Sequence, residues 1–201
     1  EKVALKVPVL SKKCFRELWI RMVFSALVDA DYLNTEEHFD QNKAGSRSNW
    51  PTITKLWEDF EPQREKYLAD NKKESSPEVT RVRAEVYQAC LDKASEKQSE
   101  KQNVFRLTVP TGGGKTLSGL AFALKHAKEN DLERVIFAIP YTSITTQTAD
   151  VYRKVLGKDA VLEHHSAIPL PENKKENQNT DFLRQQLASE NWDASLVVTT
   201  T

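Results

Sequence analysis

Residues 109–116 read Val-Pro-Thr-Gly-Gly-Gly-Lys-Thr, between an apolar run and the start of an amphipathic segment. Three consecutive glycines followed by Lys-Thr are the residue types that hold a polyphosphate. Gly112, Gly113 and Gly114 leave room for backbone N–H groups to turn inward around phosphate oxygens, where a side chain would block them. Lys115 adds a mobile positive charge, the Thr116 hydroxyl can ligate Mg²⁺, and Thr111 completes the turn. The strict motif opens with a further glycine, and Val109 stands there instead. The reading is an ATP site with Mg²⁺, with Lys115 and Thr116 carrying the chemistry. Gln88, in the helix before the loop, is a candidate adenine reader, although a Gln three residues after Arg83 would fall on Val86.

Two other groupings invite chemistry. Asp29 and Asp31 lie near the expected end of an otherwise apolar helix. Carboxylates fit badly there against the negative end of the helix dipole, and a metal ion would offset them. His164 and His165 are adjacent, but they follow a predicted strand and read as structural or nucleic-acid-side residues together with Ser166. His38 on a predicted loop and His126 on a helix face belong to no constellation. Cys14 and Cys90 have no CxxC spacing and read as reduced thiols in helices.

The elements that must position these residues come in two kinds. Residues 11–33 carry apolar side chains at helical spacing (Phe15, Leu18, Trp19, Met22, Val23, Ala26, Leu27, Ala30), with Ser11 as N-cap. Residues 34–51 read as a loop. A second helix begins at Ile53, with Pro62 expected to break or kink it, and 71–76 is a polar connector. Ser76-Pro77 starts a helix running to about Ala94, and 95–102 is a charged surface loop. From 103 the period changes. FRLTV, RVIFAI, DAVLEH and ASLVVTT read as buried strands, alternating with helices LSGLAFALKHAKEN, SITTQTADVYRKVL and TDFLRQQLASE. That alternation predicts an α/β fold with a parallel sheet. The organisation expected is 1–70 helical, 71–102 linker and helix, 103–201 α/β. The 201 residues carry 29 basic and 29 acidic side chains, so no global field advertises a nucleic-acid partner, although a local stripe would suffice. No apolar run reaches membrane-spanning length. Both ends read as cut, as in a fragment of a longer chain.

Pro-Thr-Gly-Gly-Gly-Lys-Thr resembles motif I of superfamily 2 helicases. In the same order, IPYTSITTQ (139–147) is similar to motif Ia and VVTTT (197–201) to the start of motif Ib, which hold DNA phosphates. The resemblance thus implies nucleic-acid contacts from Pro140, Tyr141, Thr142, Gln147, Thr199 and Thr200. Ala30-Asp31-Tyr32-Leu33 resembles the last metal-binding element of HD-type phosphohydrolases, which implies Asp31 as ligand of a divalent transition metal of unspecified identity. Together FSALVDADYLNTE, LTVPTGGGKT, IPYTSITTQ, LEHHS and VVTT resemble the CRISPR-associated helicase-nuclease of type I systems, closest to the type I-C branch. That family implies a RecA-like parallel sheet (domain 1, partial) preceded by the C-terminal part of an all-α HD domain. It implies ATP-driven translocation on single-stranded DNA with metal-dependent DNase activity in a prokaryotic cytoplasm. Its partner would be the type I surveillance complex (Cascade) with its crRNA, and no membrane is involved. A slice holding one HD ligand and no acidic motif II is expected to be inactive alone. The alternative is another superfamily 2 helicase or restriction-type translocase whose front helices are only a brace and which lacks nuclease activity.

Overall fold

The computed structural model describes residues 13–41, 50–71, 76–96, 104–167 and 187–201. The chain divides into two compact units, Glu1–Ser48 and Asn49–Thr201.

In the first unit, helix α1 spans Lys13–Phe39. It runs past the stop expected at residue 33, because no glycine or proline interrupts residues 34–39 and Thr35 Oγ1 caps its own turn by donating to the Asp31 carbonyl at 2.8 Å. His38 therefore sits on a helix, edge-on to Phe39, and not on a loop. Much of the apolar pattern faces outward, with Leu18, Met22, Val23 and Leu27 all exposed. Ser11, the expected cap, lies outside the described residues.

The second unit starts with α2 (Ile53–Asp70), capped by Thr52, whose Oγ1 accepts from Lys55 N. The helix continues unbroken through Pro62. Its apolar face of Ile53, Leu56 and Phe60, all at most 5% exposed, packs into the main core and outweighs the one backbone bond that proline removes. The boundary expected near 71–76 falls inside this unit, since that packing ties α2 to the later helices and the sheet. Helix α3 (Pro77–Ala94) begins as its sequence dictates, with Ser76 accepting from Val79 N and Pro77 in the first turn. Arg64 of α2 stacks on the Tyr87 ring of α3 at 3.6 Å and pairs with Glu61, which accepts from the Tyr87 hydroxyl.

Helix α4 (Lys115–Glu129), strand β1 (Val135–Ile139), helix α5 (Thr142–Leu156), a 3-10 turn (Lys158–Ala160), β2 (Leu162–His164) and β3 (Leu196–Thr200) complete the unit. The strands form one parallel sheet in the order β1-β3-β2. The central strand Leu-Val-Val-Thr-Thr has four of its five residues buried, as a strand covered on both faces must. Leu196 and Val198 join Leu120, Leu124, Tyr152 and Val155 in the main core, while Val197 and Leu162 meet Ala188 and Ala194 in a second cluster. This is a small parallel sheet with flanking helices, the α/β arrangement of a partial RecA-like domain.

One expected strand does not form. Residues 104–110 form no regular element and pair with no strand among the described residues. Phe105 is held instead by side-chain packing, against Phe122 and His126 of α4. Val104 stays 85% exposed, since apolar content makes a strand only where a neighbour accepts its backbone bonds.

Candidate phosphate-binding site and the carboxyl edge of the sheet

The phosphate loop joins the 104–110 segment to α4. Gly112 and Gly114 both take φ +85°, a left-handed conformation that side chains resist, and Gly114 is the N-cap of α4. Gly113 between them is buried, and its N–H donates to the Pro110 carbonyl at 3.1 Å. A Cβ at Gly113 would fall inside the van der Waals surface of Val109 Cγ1 and come within 3.1 Å of the Pro110 oxygen. Each glycine is thus required, two by torsion and one by space. No side chain caps α4, so its first-turn N–H groups are left for a ligand at the positive end of the dipole. Lys115 folds back, its Nζ donating to the Val109 carbonyl at 3.0 Å. Lys115 and Thr116 are both exposed. Buried Tyr152 of α5 anchors the helix from behind, its hydroxyl donating to the Thr116 carbonyl at 3.4 Å. Burial pushes that phenol well above its ordinary range. These residues fit a nucleotide triphosphate and its Mg²⁺. The turn is built on glycines, with no room for a Cβ at its centre, and a cation and a hydroxyl follow it at the uncapped start of α4.

Two residues of α3 divide the roles expected at the loop. Gln88 is exposed and donates to Asp92 on its own helix at 2.8 Å, which does not bring it to the loop. Arg83 does reach it, its Nε donating to the Gly112 carbonyl at 2.8 Å. The sequence does not signal this contact, because its two residues lie 29 apart along the chain.

A second grouping forms where parallel strands end. β1 and β3 run in register, Ile139 opposite Thr200, and Thr201 N donates to the Ile139 carbonyl at 3.2 Å. Pro140, Tyr141 and Thr142, at the start of α5, therefore lie beside Thr200 at the carboxyl edge, the place where open α/β sheets bind ligands. Pro140, Tyr141, Thr142 and Gln147 are exposed. Thr199 differs: it is 6% exposed, and its hydroxyl donates to the His164 carbonyl at 2.7 Å. The sheet consumes that hydroxyl, so Thr199 locks β3 to β2 and does not face a ligand.

At the same edge, Glu163 was invisible in the sequence because its three partners lie up to 17 residues away. Its carboxylate accepts from Arg153 (2.7 Å), Thr146 (2.7 Å) and His165 Nε2 (2.8 Å). Ala167 N–H donates to His165 Nδ1 at 3.3 Å, which places a proton on Nε2. Burial alone would push the Glu163 carboxyl up, but the three donors and the Arg153 charge outweigh it and hold it below the ordinary carboxylate range. The adjacent histidines split. His165 is a nearly buried strut, while His164 packs edge-on to Trp192. Cys90 is a buried free thiol, raised in pKa by that burial.

Asp29 and Asp31 stand inside α1 rather than at its end. The dipole argument for a metal therefore lapses, since both lie at least two turns from the carboxyl terminus. Among the described residues no three His, Cys, Asp or Glu side chains converge on a common point, so Asp31 has no co-ligands there. Likewise no described helix is long and apolar enough to cross a membrane.

Residues 78–201 match the family model of the type III restriction enzyme res subunit. The match covers more than half of the chain and includes α3, the phosphate loop, the sheet and its carboxyl edge. The chain belongs to this superfamily 2 helicase-like family, whose members' machinery is ATP-dependent. No curated protein matches the chain.

Proposed function

We propose that this chain supplies the phosphate-binding part of an ATP-driven translocase on single-stranded DNA, joined to an HD-type, metal-dependent DNase serving type I CRISPR interference. The observation that carries the motor reading is the left-handed Gly112 and Gly114 pair with Gly113 between them, opening onto the uncapped start of α4. When bound, ATP with Mg²⁺ supplies a phosphoryl group whose loss drives the cycle. Lys115 would leave the Val109 carbonyl to meet phosphate charge, and Thr116 would offer its hydroxyl to the cation. DNA phosphates would lie along the carboxyl edge, against Pro140, Tyr141, Thr142, Gln147 and Thr200. The nuclease and CRISPR parts of the proposal rest on the wording of FSALVDADYLNTE and on the order of the motifs after it. The partner implied is a crRNA-bearing surveillance complex in a prokaryotic cytoplasm.

The family match over 78–201 favours a second reading, a restriction-type translocase without HD chemistry. Two variants of the full protein separate them. Lys115→Ala should abolish ATP-driven unwinding and spare metal-dependent nicking of free single strands. Asp31→Ala should do the reverse, abolishing nicking while DNA-stimulated ATPase persists. Unwinding at the wild-type rate by Lys115→Ala would remove the motor, and undiminished nicking by Asp31→Ala would leave the second reading in place.

A further inference from the structure

We infer that Arg83 is a positioning residue for the phosphate loop: it holds the two left-handed glycines in the receiving conformation and acts on nucleotide through the loop. The inference rests on the proposed nucleotide site and deepens it.

The loop needs a fastener. Gly112, Gly113 and Gly114 have the largest backbone freedom of any residue type, so an unrestrained triple-glycine turn would sample many conformations besides the one with Gly112 and Gly114 left-handed. A ligand would then select a minority of the loop's states, and its apparent affinity would fall by that fraction. Within the loop, the Gly113 N–H bond to Pro110 O restrains the first half only.

Arg83 supplies a second restraint, from outside the loop and 29 residues away in sequence. Its Nε donates to the Gly112 carbonyl at 2.8 Å, so that carbonyl faces α3 and not the cradle. Its aliphatic stem lies over Gly114, where a Cβ would sit 3.6 Å from Arg83 Cγ and 3.9 Å from Arg83 Cβ. One side chain therefore spans both residues with φ +85°. It is mounted on α3 one turn before Tyr87, on the same stripe as the buried Tyr87, Cys90 and Ala94 that pack the helix down, and a packed helix is a stiff support.

The donor atom sets the test. In Gln, Nε2 follows Cδ as Nε does in Arg, so Arg83→Gln keeps the stem and a donor at the same place while removing the charge. Arg83→Met keeps the stem alone. In the full protein, equilibrium binding of ATP and of ADP should weaken about tenfold in Arg83→Ala and Arg83→Met, by the same factor for both nucleotides. Arg83→Gln should bind within about threefold of wild type. Backbone amide exchange at residues 112–114, measured without nucleotide, should speed up about tenfold in Arg83→Ala and stay near wild type in Arg83→Gln.

Glutamine as weak as alanine, with ATP losing more than ADP, would show that Arg83 meets phosphate by its charge and would overturn the positioning role. So would unchanged exchange at 112–114 in Arg83→Ala. If wild-type protein bound neither nucleotide, the nucleotide reading would fail, and the exchange arm would still decide whether Arg83 orders the loop.

Discussion

Replacing Glu163 by Gln tests the network that ties α5 to β2. The carboxylate is 8% exposed and collects three donors, from Arg153, Thr146 and His165. Glutamine fits the space, but its amide turns an NH₂ toward at least one of these donors, so one bond becomes a donor-donor clash. A hydrogen bond to a charged partner contributes about 1.5 to 3 kcal/mol, and stripping one member from a buried pair costs about 3 to 5 kcal/mol. Arg153 is partly exposed and keeps a contact to Asp150 at 3.5 Å, so it is not stranded. The lower range applies, and we expect Glu163→Gln to lose about 2 to 3 kcal/mol at pH 7. For a unit of this size that lowers Tm by about 4 to 12 °C. The sign of the pH dependence comes from the depressed carboxyl. The stabilisation is fully present above the ordinary Glu value of about 4.3 and is lost as pH falls through the lower folded value. Chemical denaturation of both proteins from pH 7 to pH 3 should show a wide gap that closes only below about pH 4. Equal midpoints at pH 7, or a gap that stays constant into acid, would refute the argument.

Further outcomes are expected at the phosphate loop and at the carboxyl edge. Gly113→Ala should weaken ATP binding by about tenfold or more, because the new Cβ must displace Val109 or the Pro110 carbonyl, as isothermal titration would show; Gly112→Ala meets no atom and pays only the torsional cost of about 1 to 2 kcal/mol. Thr199→Val should lower unfolding free energy by about 1 to 2 kcal/mol through the orphaned His164 carbonyl and leave single-strand binding unchanged, whereas Thr142→Ala with Thr200→Ala should weaken binding roughly tenfold with the salt slope intact. Filter binding across a salt series separates the two, and loss of DNA binding in Thr199→Val alone would return that hydroxyl to the DNA track.

Local chemistry was legible without coordinates. The triple glycine, the Lys-Thr pair and the Ser76-Pro77 start carry their meaning within eight residues, because torsional freedom, charge and capping are properties of neighbours in the chain. The alternation of apolar strands with amphipathic helices likewise announced a parallel sheet, since each period reflects one backbone geometry. The pairings across distance needed tertiary structure. Residues 104–110 have a strand's composition, yet a strand exists only when another supplies its bonds, and no periodicity states whether that neighbour is there. Thr142 and Thr199 look alike in sequence, and only the register of β3 against β2 makes one hydroxyl available and consumes the other. Glu163 and Arg83 were silent for the same reason. A buried carboxylate needs its donors, and a loop needs its fastener, from segments that only the fold brings near.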